Sequence, residues 1–290
     1  MANLKEIKNR ITSISSTMQI TSAMKMVSAA KLKRAQDAIT QMRPYSEKLQ
    51  EILGNLSATL DLSENAFSEQ REQKTSYIIA VTSNRGLCGG FNNNIVKKVN
   101  TLLATEYAGK NAKIIAVGKK VNDAFKRSDF NYRPAELGGP EEMFNDLTFE
   151  RAAHLAQFIM DEFVEGRVDK VVLVYNKFKN AAVQEVMNEP FLPIIPTKSE
   201  GGEAGDYIFE PSKSEIVEDL IPKSLKIQMY KALLDSNASE HGARMTAMHK
   251  ATDNAGDLKR SLTLQYNKAR QAAITNEILE IVGGAEALNG

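Results

Sequence analysis

Three observations predict an α/β fold in which a central sheet-bearing domain lies between two long terminal helices that pair as an antiparallel coiled coil. Residues 1–60 and 212–288 carry apolar residues at helical spacing over lengths that ordinary globular helices do not reach. Residues 75–197 instead alternate short β-branched runs with amphipathic stretches. Every seventh residue from Leu220 reads Leu220, Ile227, Leu234, His241, Met248, Ala255, Leu262, Ala269, apolar at all but one position. A repeat of seven keeps one seam on one side of a helix, provided a partner helix covers it.

In the first segment Leu4, Ile7, Ile11, Ile14 and Met18 step by three and four, and so do Ala35, Ala38, Met42, Tyr45, Leu49, Ile52 and Leu56. Between these runs the in-phase positions are Thr21, Lys25 and Ser28, with Met24, Val27, Ala29 and Ala30 supplying small or pliable bulk. Pro44 should kink the helix or mark an irregularity.

From Thr75 the pattern changes. Tyr77 to Val81 reads as a buried strand ending in Ser83-Asn84-Arg85-Gly86. A helix over 92–107 follows, its start capped by an Asn cluster. Lys113 to Gly118 is a second strand, and a helix over 119–129 comes next. A helix over 147–165 turns Leu155, Phe158, Ile159 and Phe163 inward. Val168 to Tyr175 is a third strand and Ala182 to Val186 a fourth, after which Pro190, Pro193 and Pro196 close the domain. This order implies a mainly parallel, Rossmann-like sheet covered by helices. Residues 198–206, rich in Gly and Glu, read as an exposed loop.

The C-terminal segment would make a helix roughly 110 Å long. Pairing it with the shorter first helix leaves an overhang of roughly 18 residues, about 27 Å, beginning near Gln271. There Ala272, Ala273, Ile274, Ile278, Leu279, Ile281 and Val282 do not keep to one stripe. A helix apolar on most sides needs cover on most sides, and with its partner helix exhausted another molecule must supply it.

Composition narrows the function. Net charge is +1, with 42% hydrophobic residues. A general nucleic-acid binder should be clearly basic. The excess of positive charge sits at the N-terminus, where residues 1–48 hold nine Lys or Arg against three acids. One cysteine, Cys88, permits no internal disulfide, and no Cys/His spacing suggests a metal site. No apolar run approaches the ~20 residues needed to span a bilayer, and the start lacks the apolar core of a secretory signal. Glu6 and the unbroken periodicity favour a mature start over a transit peptide. These features point to a reducing, cytoplasmic setting.

The stretch Ser83 to Asn92 lies where a dinucleotide loop would lie, but G-x-G-x-x-G and G-x-x-x-x-G-K-[ST] are both absent. It reads as a tight turn that needs glycine for positive φ. A nucleotide-binding enzyme with dimerising helical arms is therefore the weaker of two readings. Cys88 has no histidine near it in sequence to activate it and reads as a small buried thiol. His241 reads as a seam histidine with a polar neighbour. Lys31, Lys33 and Arg34, with Lys25 before them, form either a solvated face or a contact for an acidic surface.

The stretch Ile274-Thr275-Asn276-Glu277-Ile278-Leu279-Glu280-Ile281-Val282-Gly283-Gly284-Ala285-Glu286-Ala287 resembles the C-terminal signature of the γ subunits of F-type ATP synthases. Met24 to Leu32 resembles that family's N-terminal helix, and the Gly-Leu-Cys-Gly-x-Phe-Asn of the 83–92 loop its central domain. The resemblance runs end to end and implies a bacterial-type central-stalk rotor. In that family the paired terminal helices turn inside a ring of alternating α and β subunits, and the α/β domain meets the ε subunit and the membrane c-ring. Catalysis belongs to β; the γ subunit is not itself an enzyme and needs no cofactor or metal. Carried over by position, Met24 and Lys25 would face the acidic lever loop of β, and Arg270, Gln271, Thr275 and Glu277 would make polar contacts to β from the upper shaft. Association with the membrane would be indirect, at the cytoplasmic face of the bacterial plasma (inner) membrane. Ser28 stands where many relatives have alanine. The paired-cysteine insertion of chloroplast relatives is missing, so thiol control of that kind is not expected.

Overall fold

The computed structural model describes residues 4–59, 65–139, 142–194 and 213–289. The expected 198–206 loop and Pro196 lie outside them. The elements are α1 (Leu4–Thr59), β1 (Thr75–Val81), α2 (Phe91–Ala104), β2 (Asn111–Val117), α3 (Lys119–Phe125), β3 (Asn131–Tyr132), α4 (Phe149–Val164), β4 (Lys170–Phe178), β5 (Gln184–Leu192) and α5 (Lys213–Asn289). Long terminal helices thus flank a mixed α/β sheet. Contacts divide the chain into two units, Met1–Ser28 with Met245–Gly290, and Ala29–Arg244.

In the first unit the ends of α1 and α5 pair. Thr21 Oγ1 meets Thr252 Oγ1 at 2.8 Å, and Lys259 Nζ donates to Ser15 Oγ at 3.2 Å. Residue numbers fall on one helix as they rise on the other, so the pairing is antiparallel. Ile7, Met248, Ala255 and Leu262 are buried in the seam, and so are the polar Thr21 and Ser28. Their hydroxyls are affordable there because each bonds its own helix: Thr21 to the Met18 carbonyl at 3.1 Å, Ser28 to that of Met24 at 2.8 Å. This register sets Leu4 level with Ala269 or Arg270, and α5 continues beyond it to Asn289.

Gly256 lies in the interior of α5, and a Cβ built there meets nothing within 4 Å. Glycine in a helix interior costs about 0.5–1 kcal/mol relative to alanine. Gly256→Ala should therefore raise the unfolding free energy by about that amount, read as a higher urea midpoint at unchanged m-value.

In the second unit the sheet runs β3-β2-β1-β4-β5, all parallel except β5, which is antiparallel to β4. One face, with Ile78, Ala80, Ile114 and Val174, is covered by α2 and α3 through Ile95, Val99 and Val121. The other, with Tyr77, Ile79, Leu173 and Tyr175, is covered by α4 through Leu155, Ile159 and Phe163 and by the start of α5 through Ile221, Leu225, Met229 and Leu233. Central strands buried on both faces are why their sequences run apolar without alternation.

Three local expectations are corrected. The Asn cluster does not cap α2: its N-cap is Gly90, with no side-chain cap bond, because Asn92 turns back to Ser83 and Cys88. The helix after the second strand stops at Phe125. Pro190 does not close the domain but lies within β5, opposite Val172 beside a register shift. An edge strand tolerates the missing N–H. Helix α1 continues through Pro44, whose side chain is exposed. The two-residue β3 was not expected, since Asn131-Tyr132 is too short to carry a periodic signal.

Candidate functional site

Strand connections leave β1 in one direction through β2 to β3, then cross back to β4 on its other side. The switch point of the sheet is therefore between the carboxyl ends of β1 and β4, where open α/β sheets bind their ligands. Here that crevice is filled by α5. Ser239, fully buried, donates from Oγ to the Asn176 carbonyl at 2.9 Å, and Asn176 Nδ2 donates to the Phe91 carbonyl at 3.3 Å. Ala243 packs with Cys88 and Phe91. Gly242 lets the helix backbone come against the turn after β4, since a Cβ there would lie 3.2 Å from Ala181 Cα.

The loop after β1 is folded onto this helix. Arg244 Nη1 pairs with Glu240 Oε1 at 2.7 Å, both side chains buried. Its other nitrogens reach the Gly86 carbonyl at 3.3 and 3.4 Å and the Arg85 carbonyl at 3.4 Å. Within the loop Asn92 accepts from Ser83 N at 3.0 Å and donates to Cys88 Sγ at 3.1 Å. Positive φ occurs at Gly89 (58°) and at exposed Leu87 (62°). Cys88 is buried, and burial pushes its thiol up, outweighing the pull of Ser83 and Arg244. A thiol held protonated is a poor nucleophile. The loop thus presents a turn bound to a helix where a dinucleotide loop would present free N–H groups. Arg244 and Glu240 escaped sequence reasoning, although an acid four residues before an arginine inside an apolar column was the available signal.

His241 is half-buried, with Arg244 Nη1 3.5 Å from Nδ1. Burial first, then the charges of Arg244 and Lys31, lower its pKa to about 4. Unfolded, the imidazole titrates near about 6.5. Between the two values the unfolded chain binds more protons, so acid favours unfolding, by up to about 3 kcal/mol. Glu240 and Asp235, raised by burial, act in the opposite sense. The expected result is therefore a difference: His241→Gln should lose less stability than the parent between pH 7 and pH 4.5, measured by urea unfolding.

In the first unit Met24 and Lys25 are half-buried, and the adjacent Met26 and Val27 are exposed. Arg270, Gln271, Thr275 and Glu277 are exposed on α5, Arg270 at about the level of Leu4 and the others past it. Thr275 Oγ1 donates to the Gln271 carbonyl at 2.9 Å. On the same stretch Ile274, Ile278, Leu279, Ile281 and Val282 are exposed, Ile281 by 72%. Fully burying a side chain of this size is worth about 1.5–3 kcal/mol, so a cluster of five is a strong demand for cover. The fold brings the four polar residues and the apolar cluster together, and sets Met24 and Lys25 some turns back along the pair. Among the described residues no group of His, Cys, Asp or Glu could hold a metal, and no helix is long and apolar enough to cross a membrane.

Residues 3–288 match the family described as ATP synthase. The ATP synthase gamma chain of Flavobacterium johnsoniae is 62% identical, and that of Chlorobium phaeobacteroides 47%, each covering all of both chains. A chain from the central stalk and c-ring of the Tetrahymena thermophila mitochondrial ATP synthase is 25% identical with a TM-score of 0.58, covering 80% of this chain and 99% of its own. A rotor chain of the Euglena gracilis enzyme superposes with a TM-score of 0.64 at 22% identity, over 93% and 98%, which shows the shared fold.

Proposed function

The chain belongs to the family of ATP synthase gamma chains, and on that premise we propose that it is the central-stalk rotor, coupling ion-driven rotation of the c-ring to the conformational cycle of the catalytic β subunits. The observation that carries this reading is the apolar cluster Ile274 to Val282, exposed on α5 past the level of its partner helix. A bearing inside a closed ring of subunits covers such a helix on every side.

The mechanism is mechanical allostery. The helix pair is not a figure of revolution: Met26 and Val27 stand out from one side, and the seam residues Ile7 and Leu262 are hidden. At each angle it offers a different surface to the surrounding β subunits. A rotor that binds one β conformation better than another shifts its population by that difference alone. Residues 1–60 and 212–288 act as the coil and 75–197 as the α/β domain, which meets ε and the c-ring. Met24 and Lys25 contact the acidic lever loop of β; Arg270, Gln271, Thr275 and Glu277 contact β higher up. The subunit catalyses nothing, and its place at the membrane, on the cytoplasmic face of the bacterial plasma membrane, comes from its partners. The crevice filled by α5 supports a non-catalytic role, since the site where α/β enzymes take a cofactor is spent on the chain itself.

Co-expression with α and β partners should yield a ring holding one copy of this chain and active in ATP hydrolysis. A ring with three copies overturns the proposal. Met24→Lys adds a cation beside Lys25 and should weaken coupling while sparing assembly: proton pumping per ATP hydrolysed falls several-fold and hydrolysis stays measurable. Unchanged pumping removes the assigned contact.

A further inference from the structure

A cavity of about 440 Å³ opens at the carboxyl ends of β2 and β3, beside α4. Its volume lies in the range of small-molecule sites. The floor is apolar, built from Ile115, Val117, Leu137, Met143 and Leu155. The wall is fixed in place. Gly139 N–H donates to Glu142 Oε1 at 2.8 Å, and Arg151 Nη1 donates to the Glu142 carbonyl at 2.9 Å. Gly138, at φ 68°, lies so close that a Cβ would stand 2.6 Å from Glu142 Oε2. The wall therefore needs no ligand to form.

Two kinds of polar group face this floor. Asn122 and Asn131 line the cavity, and neither carboxamide has a hydrogen-bond partner among the described residues. A carboxamide offers a donor and an acceptor side by side, the complement of an amide-like edge on a heteroaromatic ring. The charges around the cavity are mixed: Arg133 and Arg151 stand against Glu136, Glu142 and Glu150, the last in the first turn of α4. The carboxylates, one more in number than the guanidiniums, disfavour a phosphate.

We propose that this cavity binds an uncharged heteroaromatic compound of nucleoside size. Its ring lies on the apolar floor and its donor–acceptor edge is read by Asn122 and Asn131. The site is independent of the rotor reading, which rests on the other unit, so either can fail without the other.

Saturation-transfer NMR on the full chain with adenosine, and with ADP as the charged comparator, tests it. Adenosine should receive saturation and ADP should bind more weakly. Asn122→Leu and Asn131→Leu should each weaken adenosine roughly tenfold, the loss of one hydrogen-bonded contact. Asn93→Leu, on the exposed side of α2, should leave it unchanged. If circular dichroism shows one carboxamide variant unfolded, the other carries the comparison. No transfer to adenosine, equal binding in a folded carboxamide variant, or tighter binding of ADP overturns the proposal.

Discussion

Arg244→Ala should lower the unfolding free energy by about 3–5 kcal/mol, the usual loss when one partner of a buried ion pair is removed. The reason is what remains. Glu240 is buried, and without the guanidinium at 2.7 Å only the lesser charges of Lys31 and Arg85 offset the burial that already raises its pKa. The Gly86 carbonyl loses its donor as well, whereas the Arg85 carbonyl keeps Ser83 Oγ and Asn92 Nδ2. Chemical denaturation at pH 7 reads the loss. A second variant separates charge from packing. Glu240→Leu with Arg244→Met replaces the pair by apolar bulk, which in buried pairs is often near neutral. It should recover most of the loss, and the remainder measures the loop contacts. Equal destabilisation of single and double variants would mean that the loop carbonyls dominate.

Gly118→Ala should be more severe, with a loss above about 4 kcal/mol, in the range reserved for named steric failures. Two causes act together. At φ 97° the backbone lies where L residues are strained. A Cβ there would also lie 2.0 Å from the Thr82 carbonyl oxygen, and backbone cannot swing aside as a flexible side chain could. Thr82 itself is committed: its N–H donates to the Val117 carbonyl at 2.8 Å, and its Oγ1 accepts from Val121 N at 2.9 Å. Moving it would disturb the ends of β1 and β2 and the first turn of α3. Insoluble expression, or a thermal midpoint tens of degrees lower, is the expected readout; a soluble variant within a few degrees of the parent would contradict the geometry.

The sequence carried the long elements because their signals are repetitive. The column Ile227, Leu234, Met248, Ala255 and Leu262 is buried, and the break in one-sidedness after Gln271 is matched by the exposed Ile274 to Val282. Length arithmetic alone set the end of helix pairing near Gln271, and the observed register sets it within two residues of that. What stayed hidden depends on contacts distant in the chain. Asn92 is a good helix cap by residue type, yet Ser83, nine residues earlier, claims it. Pro190 looks like a terminator, and only the discovery that β5 is an antiparallel edge makes it a strand residue. Glu240 and Arg244 look like an ordinary surface pair until the β1 loop is seen to lie over them. For the candidate site, residue type and order marked the apolar stretch on α5, whereas the filling of the switch-point crevice could not be read without the strand order.

That filled crevice has a mechanical meaning. Ser239 grips the end of β4, Arg244 the loop after β1, and Gly242 lies against the turn before β5. These contacts leave the helix in different directions around its axis, as a key fits a keyway. Turning α5 about itself against the sheet would break them at once rather than let them slip one at a time. Torque delivered to the sheet therefore enters the helix as rotation, with little lost as backlash at the joint.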